Sequence, residues 1–200
     1  MKKIAIFASG SGSNAENIIQ YFAQKPQFCV KSVFCNVPDA YVLERAKKYR
    51  IPSFVFNREE FRNPDKVFRQ LQEQEIDFIV LAGFLWLMPS FITAAWPNKI
   101  VNIHPALLPA YGGKGMYGHH VHEAVIAAGE KESGITIHYV NDHYICCRSA
   151  GLKYPPIKFC HLLRNSKKIV QDRRLPFLHL IVVFSYGRTN RRFFSTPGKF

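Results

Sequence analysis

Asn102 and His104 are the residues of this chain whose types and spacing are best suited to chemistry. An apolar run, Lys99–Val101, leads into them, and Pro105 follows, which cannot donate a backbone hydrogen bond and therefore ends a strand. Side chains two residues apart on a strand project from the same face. The pattern therefore predicts a hydrogen-bonding amide and a proton-transferring imidazole together at a strand end. The alternative is a capped strand end whose histidine is only hydrogen-bonded.

A second stretch with functional potential is the turn Gly10–Asn14, between an apolar run at Lys3–Ala8 and a helical pattern at Ala15–Ala23. Backbone N–H groups at a helix N-terminus favour an anion, typically phosphate. Ser13 and Asn14 can cap the helix or donate to phosphate oxygens. The third glycine of the dinucleotide pattern is absent, and no Gly-Lys-Ser/Thr follows, so neither that pattern nor a P-loop is present. A tight turn without a ligand is the alternative.

The elements that must position these residues alternate along the chain between apolar strands and amphipathic helices. The predicted strands are Lys3–Ala8, Val30–Cys35, Pro52–Phe56, Ile76–Ala82, Ile100–His104 and Gly134–Val140. The predicted helices are Ala15–Ala23, Ala40–Tyr49, Asp65–Glu75, Ser90–Ala95 and His122–Ala128. This order predicts an α/β fold with a Rossmann-like, doubly wound, mostly parallel sheet, whose site lies beyond the carboxyl ends of the strands.

Three stretches are expected at that edge of the sheet: Gly10–Asn14, Asn102–His104 and the turn that begins at Gly83. The four residues that could line a pocket for a flat aromatic ligand are Leu85, Trp86, Leu87 and Met88. The same four could equally be ordinary core residues, and the sequence leaves both interpretations open.

The segment Tyr111–Gly118 has four glycines in eight residues, a composition typical of a mobile lid. His119, His120 and His122 follow it. No carboxylate or cysteine stands at a convincing ligand spacing from them, so we predict roles other than metal binding.

Composition predicts one domain with an appendage in a reducing compartment. The chain has 200 residues, of which 48% are hydrophobic, enough for a core. No signal peptide and no apolar run long enough for a membrane span are found. The five cysteines have no regular spacing, which favours the cytoplasm.

Charge divides the chain into two parts. Residues 1–144 hold 15 Lys and Arg and 13 Asp and Glu, a net charge of +2, whereas residues 145–200 hold 12 Lys and Arg and a single acid, Asp172. We therefore expect a domain at 1–144 and a basic, poorly ordered tail at 145–200.

Four motifs in order resemble the phosphoribosylglycinamide formyltransferase family, the folate-dependent enzymes of purine synthesis. They are Gly10–Asn14, Leu81–Phe84, Asn102–Pro109 and Gly134–Val140. The motif beginning at Asn102 is shared by several formyl-folate enzymes, and the turn at Gly10 narrows the resemblance to this family. It covers about residues 1–144.

The resemblance implies transfer of a formyl group from 10-formyltetrahydrofolate to the amine of glycinamide ribonucleotide. It implies no metal, no specific nucleic acid and no membrane, and both a monomer and a homodimer are compatible with it. Asn102 and His104 match the catalytic residues. Gly12, Ser13 and Asn14 match the residues that hold the ribonucleotide phosphate. The matches to folate-binding residues are Leu85, Trp86, Leu87, Met88, Asn102 and Arg58, with Arg62 left open as the alternative to Arg58.

The resemblance ends near residue 145. The family has an aspartate there that pairs with the catalytic histidine and raises its pKa, whereas this chain has Ile145, followed by Cys146 in place of a glycine. Asp142 stands three residues too early to be assigned that role. Reduced activity is therefore expected.

Three explanations fit the break: a reading-frame shift near codon 145, a genuine alternative tail, or divergence towards nucleic-acid binding. We prefer the first, because the tail has little periodicity and adjacent cysteines. Two alternatives to the transferase are a formyltetrahydrofolate hydrolase and a non-catalytic binder of nucleotides or polyanions.

Overall fold

The computed structural model describes residues 1–106, 108, 110–112, 116, 119–130 and 136–140. Four features predicted from the sequence therefore lie wholly or partly outside the described residues. They are Leu107 and Pro109 of the third motif, much of the glycine-rich segment, the start of the last predicted strand, and everything after Val140, including Asp142, Ile145 and Cys146.

A six-stranded sheet forms the centre of the described structure. Its strands are β1 Lys2–Ala8, β2 Phe28–Cys35, β3 Ser53–Val55, β4 Phe78–Leu81, β5 Ile100–His104 and β6 Thr136–Tyr139. The order is β3-β2-β1-β4-β5-β6; the first five strands are parallel, and β6 is antiparallel to β5. The predicted mostly parallel sheet is confirmed.

Six α-helices and one π-helical turn pack around the sheet in the described residues. The helices are α1 Ser13–Phe22, α2 Tyr41–Lys48, α3 Arg58–Arg62, α4 Arg69–Glu73, α5 Ser90–Ala95 and α6 His119–Ala127. The π-helical turn is Pro64–Phe68 and joins α3 to α4. No described helix combines the length and apolar character needed to cross a membrane.

The helix predicted over Asp65–Glu75 is observed as one continuous helical segment, in which the π-helical turn Pro64–Phe68 is followed directly by α4 Arg69–Glu73, whereas α3 was not predicted. Asn57 closes a capping box with Glu60, in which each side chain bonds the other residue's backbone N–H at 2.9 Å, and this box starts α3. Asn63 then accepts a second capping bond, 2.9 Å from the backbone nitrogen of Asp65, and starts the π-helical turn. Two local caps therefore start two separate helical segments, and the apolar spacing alone shows only the second of them.

Both faces of the sheet are buried, as a doubly wound fold requires. On β1, Ile4 and Ile6 pack into one cluster with residues of α1 and α2, whereas Ala5 and Phe7 point into the other cluster. Phe7 stacks on Phe34 of β2 with the ring centroids 4.8 Å apart. The strand order reverses between β1 and β4, the position at which ligands bind in open α/β sheets.

Candidate active site

Gly12 forms the N-cap of α1 and has the left-handed conformation, with φ 71° and ψ 22°. Its carbonyl accepts the first helical hydrogen bond, at 2.9 Å from the nitrogen of Glu16. A Cβ on Gly12 would lie 2.4 Å from Cγ2 of Val42, so both the backbone angle and the space require glycine. Of the two roles open to Ser13 and Asn14, capping is not observed, because both lie inside α1 and no side chain of the described residues caps it. The first amides of α1 are therefore not engaged by a side-chain cap.

Ser9 joins the glycine turn to two neighbouring strand ends. Its backbone nitrogen donates to the carbonyl of Gly83 at 3.1 Å. Its hydroxyl donates to Oδ1 of Asn36 at 2.6 Å and accepts from the backbone nitrogen of Leu85 at 3.0 Å. The predicted convergence of the Gly10 and Gly83 turns is therefore observed. Ser9 was not among the predicted site residues, although its position directly after β1 places it at that edge.

The segment after Gly83 alternates between buried and exposed side chains. Phe84 is 9% exposed and belongs to the core, whereas Leu85 and Leu87 are 51% and 69% exposed. Trp86 and Met88 are half-buried against the same core cluster as Phe84. The two interpretations of this stretch thus apply to different residues: part of it is core, and part is an exposed apolar surface.

Arg58 covers the outer side of this surface. Its guanidinium lies 5.1 Å from the centroid of the Trp86 ring, within cation–π range. The indole also packs against Phe56 and Phe61, at centroid distances of 6.0 and 5.9 Å. Arg62 is exposed at the other end of α3. The stacking on Trp86 favours Arg58 over Arg62 as the arginine of this surface.

Asn102 lies at the end of β5 and is oriented by His138 of β6. The two residues are paired across the antiparallel strands, and Nδ2 of Asn102 is 3.0 Å from Nε2 of His138. Nδ1 of His138 is 3.0 Å from the carbonyl of Tyr139, which can only accept, so Nδ1 carries the proton. Nε2 of the neutral ring is then an acceptor, and Asn102 must donate to it. Asn102 retains its second amide hydrogen for another acceptor.

Burial lowers the pKa of His138, which is 9% exposed. The bond to the Tyr139 carbonyl acts in the opposite direction, and the positive charge of a protonated His104 lowers the pKa further. The neutral ring that orients Asn102 is therefore the favoured form near pH 7.

His104 is held by the backbone of Tyr111. Nε2 of His104 is 2.9 Å from the carbonyl oxygen of Tyr111, so this nitrogen donates and Nδ1 of the neutral ring is the acceptor. Burial lowers the pKa of His104, and the bond to Tyr111 partly offsets this effect. Tyr111 has φ 54° and is tied through its hydroxyl to Oε1 of Glu130 at 2.7 Å.

Thr136 holds the start of the loop that follows β5. Its buried hydroxyl donates to the carbonyl of Ala106 at 2.7 Å and accepts from the backbone nitrogen of Leu108 at 3.0 Å. His138, Tyr111 and Thr136 had no assigned role in the sequence analysis. Their contacts depend on the antiparallel register of β6 and on backbone atoms, which no residue pattern encodes.

Taken together, the strand ends bring an uncapped glycine turn, an exposed apolar surface and an oriented amide–imidazole pair to one edge of the sheet. Asn102 pairs with Leu81 of β4, two residues before Gly83. Within the described residues, no group of three or more His, Cys, Asp or Glu side chains is placed to hold a metal ion. Such an edge suits a substrate with an anionic group and a flat apolar co-substrate.

Comparison with known proteins identifies the family of this chain. Residues 2–144 match the model of a family described as formyl transferase, and the chain belongs to that family. The similar proteins are phosphoribosylglycinamide formyltransferases, which confirms the resemblance seen in the motifs.

Two relatives illustrate the likeness. The enzyme of Bacillus subtilis is 38% identical over 147 residues, which cover 71% of this chain and 73% of that protein. The chloroplastic enzyme of Arabidopsis thaliana is 40% identical over 149 residues, which cover 72% of this chain and 51% of that protein. The matched region thus spans about half the length of the plant relatives, 51% and 52% of them.

Solved structures show the same fold. The glycinamide ribonucleotide transformylase 1 of Geobacillus kaustophilus aligns with a TM-score of 0.63 and 37% identity, over 72% of this chain and 77% of that one. The phosphoribosylglycinamide formyltransferase of Streptococcus pneumoniae aligns with a TM-score of 0.61 and 39% identity, over 72% and 76% of the two chains.

Proposed function

We propose that this chain transfers the formyl group of 10-formyltetrahydrofolate to the primary amine of glycinamide ribonucleotide, a reaction of purine synthesis in the cytoplasm. The observation that carries the proposal is the orientation of Asn102 by His138 at 3.0 Å, which leaves one amide hydrogen for a substrate oxygen beside His104. The names of the relatives supply the substrates. Gly12, Ser13 and Asn14 hold the phosphate, and the Leu85–Met88 surface with Arg58 receives the folate.

The reaction forms one C–N bond, breaks another, and moves one proton from the amine to N10 in two steps through His104. The neutral amine attacks the formyl carbon on N10, and the carbonyl oxygen becomes an oxyanion. Asn102 donates its second amide hydrogen to that oxygen, while His104 takes the proton from the attacking nitrogen at Nδ1. The imidazolium stabilises the oxyanion, and the same proton then goes to N10 as the bond between N10 and the formyl carbon breaks. Two effects account for the rate enhancement: positioned donors stabilise the developing charge, and the enzyme holds the two reactants together.

The proposal is tested by incubating the purified full-length chain with both substrates and measuring formylated product and tetrahydrofolate. Product formed in equal amounts with tetrahydrofolate supports the transferase. Release of free formate in the absence of the ribonucleotide would instead indicate the hydrolase. We expect a rate below that of the Bacillus subtilis relative, because Ile145 stands where the family resemblance places the aspartate partner of His104. A rate equal to that of the relative would contradict the expected impairment.

A non-catalytic polyanion binder is the second candidate, and the observation that favours it is the excess of 12 Lys and Arg over one acid in residues 145–200. This role would be favoured if no formyl transfer were found and the chain bound nucleic acid with an affinity that falls steeply as salt is raised. A chain ending at Tyr144 should then lack that binding. Transfer activity that persists in high salt would favour the enzyme.

A further inference from the structure

Two residues of α2, Val42 and Arg45, hold two successive carbonyl groups of the glycine turn. The backbone nitrogen of Val42 donates to the carbonyl of Gly10 at 3.2 Å. Nε of Arg45 donates to the carbonyl of Ser11 at 2.8 Å. These contacts join residues more than thirty positions apart, so α2 fixes a turn to which it is not connected locally.

Holding the carbonyl of a peptide unit also sets the direction of the N–H group of that unit. In a trans peptide the C=O and N–H groups of one unit point in opposite directions. Drawing the carbonyls of Gly10 and Ser11 towards α2 therefore turns the N–H groups of Ser11 and Gly12 away from it. The carbonyl of Gly12 is taken up inside α1 by the nitrogen of Glu16 at 2.9 Å, so the N–H of Ser13 points out of the helix start. Three successive amides thus face one side, the arrangement of an anion-binding nest.

Arg45 is itself held in place. Its guanidinium pairs with the carboxylate of Glu16 in α1, lies 4.9 Å from the ring centroid of Tyr41, and leaves the side chain 24% exposed. The carboxylate of Glu16, itself in the first turn of α1, balances the charge of Arg45. The contribution of Arg45 to an anion at the turn therefore comes through the Ser11 carbonyl rather than through direct attraction.

We propose that Arg45 is a positioning residue for the phosphate-binding turn, acting through the peptide group between Ser11 and Gly12. This inference rests on the proposed function, because it deepens the role given there to Gly12 and Ser13. If the Ser11 carbonyl is released, its peptide unit can rotate, and a carbonyl oxygen then faces the phosphate in place of the Gly12 N–H. The alternative is that Arg45 only ties α1 to α2, in which case its loss lowers stability without changing anion affinity.

Arg45→Lys separates these two roles. Lysine places a methylene where arginine has Nε, so the bond to Ser11 is lost while a positive charge remains beside Glu16. Arg45→Met, which removes the charge as well, is the second variant. Lys48→Met is the matched control, because Lys48 lies on the same helix and reaches the same Glu16 carboxylate at 3.3 Å.

The measurement is a titration of the full-length protein with inorganic phosphate, followed through the backbone amide resonances of Ser11, Gly12 and Ser13. Amide resonances report the turn alone, so phosphate bound elsewhere on the chain does not interfere. We expect the dissociation constant at these amides to rise roughly tenfold in both Arg45 variants, the loss of about one good hydrogen bond. In Lys48→Met the dissociation constant should stay within about threefold of the wild-type value, as for the loss of an exposed charge.

The inference is overturned if the wild-type amides do not respond to phosphate, or if the Arg45 variants respond like the wild type. It is also overturned if Lys48→Met weakens phosphate as much as Arg45→Lys does. Thermal melting of each variant shows whether it is folded, and the lysine variant keeps the test valid if the methionine variant unfolds. If the expected amide response is seen but no formyl transfer occurs, the proposed function fails and the role of Arg45 stands.

Discussion

The amide nitrogen of Asn102 lies 3.0 Å from Nε2 of His138, and this contact orients the amide at the end of β5. Because the far nitrogen of His138 is committed to the Tyr139 carbonyl, the direction of the bond is fixed and Asn102 is the donor. β5 supplies the amide, and the antiparallel strand β6 supplies the imidazole that orients it.

Replacing Asn102 should remove a donor to the oxyanion. In Asn102→Ala we expect kcat to fall about 100- to 1000-fold, as for the loss of one oxyanion donor. The affinity for glycinamide ribonucleotide should change little, because the proposed phosphate site is at Gly12, at the start of α1. Steady-state kinetics with both substrates, together with calorimetric titration of the ribonucleotide, measure the two effects. A variant with weaker ribonucleotide binding and an unchanged kcat would show that Asn102 serves binding.

Replacing His138 should disorient Asn102 without removing it. In His138→Leu the acceptor is lost and the amide can rotate, so we expect kcat to fall about tenfold, less than in Asn102→Ala. His138→Gln keeps an acceptor oxygen and should retain more activity than the leucine variant. In the Asn102→Ala background, His138→Leu should have almost no further effect, because the residue to be oriented is gone. Independent effects of the two changes would contradict the orienting role.

The sequence predicted the sheet, its polarity and the edge that carries the site, because apolar strands, glycine turns and the end of β5 are local patterns. The positions of Asn102 and His104 on that edge follow from the same patterns. The partners of these residues did not follow: His138 depends on the register of β6, and Tyr111 contributes a backbone carbonyl. Residue spacing does not encode long-range strand register or backbone contacts. Asn102 and His104 were therefore predicted, whereas their partners His138 and Tyr111 were not.

Substitutions at Gly12 and Gly83 separate the cost of a positive φ from the cost of steric crowding. Both glycines have positive φ, 71° and 77°. Among the described residues, Gly12 is crowded by Val42, whereas a Cβ at Gly83 meets no atom within 4 Å. Gly83→Ala should therefore show the backbone cost alone, about 1–2 kcal/mol. Gly12→Ala should lower the free energy of unfolding by more than Gly83→Ala and should abolish ribonucleotide binding. Urea denaturation measures the first effect and calorimetry the second.

Val42 provides the control for that comparison. Its Cγ2 is the atom nearest to the added Cβ, but its Cα is also close, at 2.8 Å. Gly12→Ala combined with Val42→Ala should therefore recover only part of the lost stability. Equal destabilisation by Gly12→Ala and Gly83→Ala would mean that contact with Val42 does not constrain the turn.

The histidines of the site should make stability dependent on pH. Burial lowers the pKa of His138 in the folded chain, and burial also lowers the pKa of His104, below the value of 6.5 for a free histidine. As pH falls through 6.5, the unfolded chain binds protons that the folded chain does not. Stability is therefore fully present above pH 6.5 and declines below it until the folded pKa values are reached, by at most about 1.4 kcal/mol per pH unit for each histidine.

Urea midpoints measured between pH 7.5 and pH 5.5 check this dependence. His138→Gln should have a shallower decline than the wild type over the same range, because one of the two histidines with a lowered pKa is gone. A wild-type stability that is constant across this range would refute the expectation.

Trp86 and Arg58 should report folate binding directly. The indole is half-buried and carries the Arg58 guanidinium 5.1 Å from its ring centroid, so a flat ligand on the Leu85–Met88 surface changes its surroundings. The other tryptophan, Trp96, is 7% exposed and donates to the carbonyl of Ile76 at 2.7 Å, so its emission should stay constant. We expect 10-formyltetrahydrofolate, or a non-reactive analogue, to quench Trp86 emission in a saturable manner.

Arg58→Ala should weaken that binding several-fold, because the cation that stacks on the indole is also placed to meet the ligand. Arg62→Ala is the matched control: the residue has the same charge, lies on the same short helix and is exposed at its far end. We expect it to bind the analogue within about twofold of the wild type, as for an exposed surface charge. If affinity for the analogue fell more in Arg62→Ala than in Arg58→Ala, Arg62 would be the residue that contacts the folate. An equal loss of affinity in both variants would indicate only general electrostatic attraction.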